Sequence, residues 1–196
     1  ASHTSSIRDG KIYSIPPNFS LTEFFKVDGK FYEGGAHFGV EPPKIFFTYS
    51  NLNYGILATI IEKVSGERFD KFIKKNILQP MKISADYVVG NLNEKDFQNL
   101  GALYKQENGK WLATVDNYSG QPKKDTVKIS SKYVTGSGFQ SLKDYKIGRN
   151  ATIFNPVGGL RISFEELGNC LEMIMNGGNF RGQKILSGEI IFVAQD

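Results

Sequence analysis

Apolar residues recur at helical spacing along much of this chain. Ile56, Leu57, Ile60, Ile61 and Val64 lie three or four positions apart and predict an amphipathic helix, which Ser65-Gly66 should end. Phe69, Phe72, Ile73 and Ile77 predict a second helix stopped at Pro80. The turn between them is so short that the two must pack as a hairpin or a sharp corner. Phe164, Leu167, Leu171, Ile174 and Met175 predict a further apolar face, opened by a Ser163–Glu166 capping box and closed by Gly177-Gly178. Between these helices the period changes. Leu103-Tyr104 and Trp111 to Val115 flank Asn108-Gly109, the pattern of a tight hairpin. A polar loop should follow to Ser131, then a flexible Thr135-Gly136-Ser137-Gly138-Phe139 and a turn over Asn155 to Leu160. Leu186 to Ala194 reads both ways: Ile190 to Val193 favour strand, while Ser187 and Glu189 read as a helix start.

The first 48 residues carry little such pattern. Pro16-Pro17, Gly34-Gly35 and Pro42-Pro43 punctuate them, and only Leu21 to Lys26 suggests a short helix. So much irregular chain usually lines a functional surface or leans on other structure.

Composition narrows the chemistry by exclusion. A hydrophobic content of 40% and a charged content of 22% suit an ordinary globular protein long enough to bury a core. The net charge of +4 is mild. Lys71, Lys74 and Lys75 read as a solvated helix face, and Lys123, Lys124, Lys128 and Lys132 lie in polar chain. Neither group alternates with aromatics as a nucleic-acid module would, so no nucleic-acid partner is expected. No run reaches the length of a membrane span. Cys170, the single cysteine, falls in an apolar helix pattern and reads as a small buried hydrophobe. With His3 and His37 as the only histidines, no metal site or other cofactor is expected. A Ser-His-Asp triad would need one of these two, and neither has a convincing serine beside it.

One triplet does offer chemistry. Tyr49-Ser50-Asn51 places a phenol, a hydroxyl and a carboxamide at the mouth of the first helix. A tyrosine hydroxyl, ordinarily titrating at about 10, is a poor base. A nearby ammonium group or the positive end of a helix favours its phenolate, which can take a proton from a serine. A carboxamide two residues on can orient an acylamino group by donating and accepting together. The plainer alternative is that Ser50 or Asn51 caps the helix and Tyr49 staples its entry.

The segment Lys44-Ile45-Phe46-Phe47-Thr48-Tyr49-Ser50-Asn51-Leu52-Asn53-Tyr54-Gly55-Ile56-Leu57, with Ile60 to Gly66, resembles the serine β-lactamase-related family. That family includes class C β-lactamases, D,D-carboxypeptidases and related esterases. Phe69 to Pro80-Met81 is similar to its following helix, and Ser2-His3-Thr4-Ser5-Ser6-Ile7 to its His-Thr-Ser-Gly segment, with Ser6 in place of Gly. Pro156 to Ser163, Glu165-Glu166-Leu167 and Asn176-Gly177-Gly178 resemble its Gly-Gly-Leu turn and helix. The resemblance implies that Tyr49 is the general base or proton relay and Asn51 a substrate-orienting group. It gives Ser50 a local role only and His3 none.

The chain contains no Ser-x-x-Lys and no Lys-Thr-Gly. By resemblance the first is expected upstream of Ala1 and the second beyond Asp196, leaving this piece inactive alone. The implied fold is α+β, the mostly helical lobe of a β-lactamase/transpeptidase-like fold with a small β-hairpin and the main antiparallel sheet largely missing. One partial domain is expected over 1–196: an irregular cleft-lining region at 1–48, a helix pair at 49–80, a hairpin and loop at 100–132, and the Gly-Gly-Leu turn with C-terminal helices at 156–196. The implied partners are β-lactam, D-Ala-D-Ala peptide or ester substrates of small-molecule or peptidoglycan type. Self-association could cover surface left by missing strands, and the setting is expected to be periplasmic or extracellular. Two other readings stay open: a binding module of this fold without its nucleophile, and a plain helical domain in which Tyr49 is buried.

Overall fold

The computed structural model describes residues 7–9, 19–128 and 138–195. The His3 segment, Lys132 and Thr135-Gly136-Ser137 lie outside them. Among the described residues, five α-helices and three separate two-stranded antiparallel pairs make an α+β arrangement with only small sheets.

Helix α1 spans Leu52–Ser65 and ends where Gly66 takes a left-handed φ of 70°, its N–H donating to the Glu62 carbonyl at 2.9 Å. Helix α2, Phe69–Ile73, widens into a π turn over Lys74–Leu78 before Pro80. A short α3, Glu94–Gln98, is capped by Asn93, whose side chain accepts from the Asp96 N–H at 2.9 Å. Strands β1 (Leu103–Glu107) and β2 (Lys110–Val115) form the expected hairpin. Asn108 and Gly109 both have positive φ, 50° and 76°, as a two-residue turn matching the strand twist demands. The expected polar loop instead contains β3, Thr126–Lys128, which pairs with β4, Phe139–Ser141. Helix α4, Phe164–Met175, begins at the Ser163–Glu166 capping box, and Gly177 and Gly178 then turn the chain with φ of 62° and 90°. The short β5 and β6, Asn179–Phe180 and Gln183–Lys184, follow. The ambiguous last segment is helix α5, Gly188–Gln195.

The inward face of α1 matches the predicted periodicity only in part, with Ile56 and Ile61 half-buried against the core, and that of α4 does not match it. On α1, Leu57, Ile60 and Val64 are exposed, Val64 at 84%. The helix buries Leu52, Gly55, Ala58, Thr59 and Glu62 instead. Small residues win because they allow close approach to a 3-10 turn at Ala151–Phe154. A Cβ on Gly55 would lie 2.4 Å from Thr152 Cγ2. Polar groups on the same face are satisfied there: Thr59 Oγ1 accepts from the Ala151 N–H at 3.0 Å. Glu62, fully buried, accepts from the Phe69 N–H at 2.9 Å, and from the Tyr145 hydroxyl and the Gly148 N–H at 2.7 Å each. Burial pushes the Glu62 carboxyl up against the pull of those donors. Burial, and then the Glu62 charge, drives the Tyr145 phenol far above its ordinary value.

On α4, Phe164 is 92% exposed, and Leu167, Leu171, Ile174 and Met175 are also exposed. Met173 is the buried residue. Cys170 is half-buried beside the cluster of Leu78, Met81, Ile83 and Phe180, not fully inside as expected. A second cluster joins Ala58, Phe69, Val88, Val127 and Phe154 between α1 and α2. A third, Leu21, Phe24, Phe31 and Leu52, fastens residues 19–38 to the start of α1. The lysines read as a solvated face are paired. Lys74 meets buried Asp86 at 2.7 Å, Lys75 meets Glu67 at 2.7 Å, and Lys71 lies 3.5 Å from Asp125.

Candidate active site

Helix α1 opens on a cap supplied from 42 positions earlier in the chain. Asn51 occupies the capping position with helical φ and ψ of −70° and −32° and makes no capping bond with its own side chain. Asp9 takes that task. Its two carboxylate oxygens accept from the backbone N–H of Asn51 at 3.0 Å and of Leu52 at 2.8 Å. The first N–H groups of a helix have no internal partner and carry its positive end, so a carboxylate suits them. The local-cap expectation for Ser50 or Asn51 is therefore corrected. Ser50 is fully buried, and its hydroxyl donates to Asp9 at 3.3 Å, which rules it out as an accessible nucleophile.

Asp9 is placed by a short antiparallel contact. Ile7 bridges Phe38, the Arg8 N–H donates to the His37 carbonyl at 3.1 Å, and Arg8 Nε donates to the Ala36 carbonyl at 3.2 Å. His37 is wholly buried, its ring edge-on to Phe24 at 4.6 Å between centroids. It is a core residue, not a member of a surface triad.

The two residues singled out in the sequence do meet. The Tyr49 hydroxyl donates to Asn51 Oδ1 at 3.0 Å, and Asn51 Nδ2 donates to Asp9 at 2.7 Å. Tyr49 is 59% exposed, which removes the reading in which it is packed inside. Tyr87, Tyr118 and Tyr145 suit proton handling poorly. Burial pushes the phenols of Tyr87 and Tyr118 up to about 12, and Tyr145 is committed to Glu62. An open cleft of about 180 Å³ adjoins the Tyr49 segment, lined by Ile7, Arg8, Gly39, Val40, Phe46 and Thr48, with Glu41 at its side.

Asp9 escaped the sequence reading because a remote carboxylate leaves no mark near the helix it caps. The Ile7 end of the family-like segment, two residues away, was the available pointer. A second cleft, lined in part by Ser84, Asp96, Arg161 and Glu166, holds its polar groups in internal bonds: Ser84 Oγ to Asp96, the Ser84 N–H to Glu166 and Arg161 to Asp116. Among the described residues, no three His, Cys, Asp or Glu side chains gather to hold a metal ion, and no helix is long and apolar enough to cross a membrane.

Comparison with family profiles agrees with the family suggested by the motifs. No curated protein matches the chain. Two solved structures cover 97% of it each. One is an octameric penicillin-binding protein homologue from Pyrococcus abyssi, at 20% identity and a TM-score of 0.48. The other is a D-amino acid amidase from Ochrobactrum anthropi SV3 in complex with D-phenylalanine, at 14% and 0.47. The chain spans 36% and 45% of their lengths. The Beta-lactamase family profile matches residues 35–190, well over half of the sequence, and on that match the chain belongs to the beta-lactamase family.

Proposed function

We propose that this chain carries the proton-handling side of a serine acyl hydrolase. The observation behind this reading is the hydroxyl of the exposed residue Tyr49, bonded to Asn51 at the amino end of α1 within the family match. A serine elsewhere in the protein attacks a carbonyl carbon, its proton passes by way of Tyr49, and water later releases the acyl-enzyme. Asn51 keeps one amide hydrogen and one oxygen lone pair beyond its bonds to Asp9 and Tyr49. That pair can align an amide-bearing acyl group. Substrates are β-lactams, D-Ala-D-Ala peptides or esters, met outside the cytoplasm.

The test uses the whole gene product containing this chain, incubated with a fluorescent penicillin and analysed by peptide mass spectrometry. The expected result is one covalent adduct on a serine of a Ser-x-x-Lys helix, absent after that serine is changed to alanine. A gene product without such a helix, or one that binds the penicillin only reversibly, refutes the hydrolase and favours a binding module.

A further inference from the structure

The side chain of Asn51 could face Tyr49 with either edge, amino or carbonyl, and the two choices have opposite chemical consequences. An amino edge would donate to the phenol oxygen and support a phenolate. A carbonyl edge accepts the phenol's proton and holds Tyr49 as a neutral donor. Asp9 removes the choice. It receives four donors: the Asn51 and Leu52 N–H groups, the Ser50 hydroxyl and Asn51 Nδ2. A carboxylate so surrounded acts as an acceptor only. The edge of Asn51 that meets it must carry hydrogen, which leaves Oδ1 for Tyr49 at 3.0 Å.

The same carboxylate relieves Asn51 of capping. Were Asn51 to cap α1 by itself, its Oδ1 would be taken by a backbone N–H one turn in. It makes no such bond here. We propose that Asp9 is a positioning residue acting through Asn51: it fixes which edge of that carboxamide faces Tyr49, and so holds the Tyr49 hydroxyl in the donating role. Its use in catalysis rests on the acyl-hydrolase reading above, whereas the orientation itself does not. With its hydrogen bonded to Asn51, Tyr49 rests as a neutral phenol, and that bond must open before the phenol can take a proton.

The measurement is a carbon-13 NMR spectrum of the full chain labelled at tyrosine Cζ, at one fixed pH. The Tyr49 resonance is identified as the one missing from Tyr49→Phe. In Asp9→Asn the carboxamide at 51 is no longer held by an acceptor-only partner, and the Tyr49 signal moves or doubles while those of Tyr87 and Tyr145 stay in place. Asn51→Leu deletes the acceptor yet keeps the Asp9 bonds to backbone, and it moves the Tyr49 signal too. A purely structural cap would lower the melting temperature of Asp9→Asn and leave a Tyr49-specific change absent. An unmoved Tyr49 signal in folded Asp9→Asn overturns the proposal. If that variant loses its far-UV circular dichroism, an unmoved signal in Asn51→Leu does so instead. Failure of the unaltered protein to acylate sinks the hydrolase reading alone, since the orienting role is judged by the resonance.

Discussion

Gly55→Ala is the perturbation whose outcome the packing of α1 decides most sharply. Gly55 lies one turn from Asn51, where α1 presses on Thr152. In an open helix the change should stabilise by about 1 kcal/mol, because alanine costs less backbone entropy than glycine. Here the new methyl would lie 2.4 Å from Thr152 Cγ2, and Thr152 is buried. Overpacking of that kind costs about 1–3 kcal/mol, so the net change runs from neutral to about 2 kcal/mol destabilising. Thr152→Ser deletes the clashing methyl, leaving Cβ at 3.3 Å, and keeps a hydroxyl for the 2.5 Å bond to Asn150. By itself it loses about 1 kcal/mol of buried methyl. The double variant should recover the helix-propensity gain, giving a favourable coupling of about 1–3 kcal/mol. Urea titrations followed by far-UV circular dichroism resolve this, since 2 kcal/mol moves the midpoint by roughly 1 M at the usual slope. A Gly55→Ala protein more stable than the parent by the full propensity gain, or a coupling of zero, refutes the close contact between α1 and the Ala151–Phe154 turn.

Further outcomes follow from the same packing. Met173→Ala should cost about 2–5 kcal/mol as a core truncation, whereas Phe164→Ala should change stability by no more than about 0.5 kcal/mol; a larger loss at Phe164 in the urea titration would contradict the exposed face of α4. The Arg68 guanidinium, bonded at 2.6 Å, holds the Asp125 carboxyl down at about 2. A lowered carboxyl stabilises the folded state above its unfolded value of 3.8, and that contribution is lost as pH falls through about 2. The stability gap between the parent and Asp125→Asn should therefore be full at pH 6 and close between pH 4 and 2, and a pH-independent gap in urea midpoints would refute the pairing. Because the Asp125 side chain is 48% exposed, salt should shrink the gap as well.

Sequence pattern located the elements better than their orientation. Gly66, Asn108-Gly109, Ser163 with Glu166, and Gly177-Gly178 carry their backbone instructions locally, and each turn or cap stands where those residues put it. Which side of a helix turns inward depends on its neighbours. On α1 the small face of Gly55, Ala58 and Thr59 packs closer to Thr152 than an isoleucine stripe could, and Glu62 finds its donors there. Strands β3 and β4 were illegible because three-residue strands owe their existence to each other across intervening chain. At the site, Tyr49 and Asn51 were legible as a motif, but Asp9, which orders them, was not. Its role appears only once the chain brings residue 9 back against residue 51.

The most direct test of the account is the rate of penicillin acylation of the whole gene product with Tyr49 and with Tyr49→Phe. If the phenol at the mouth of α1 handles the proton of the attacking serine, its removal should slow acylation by about 10²–10⁴-fold, the range for a positioned acid–base group, while the protein stays folded. Equal rates for the two proteins would contradict the claim.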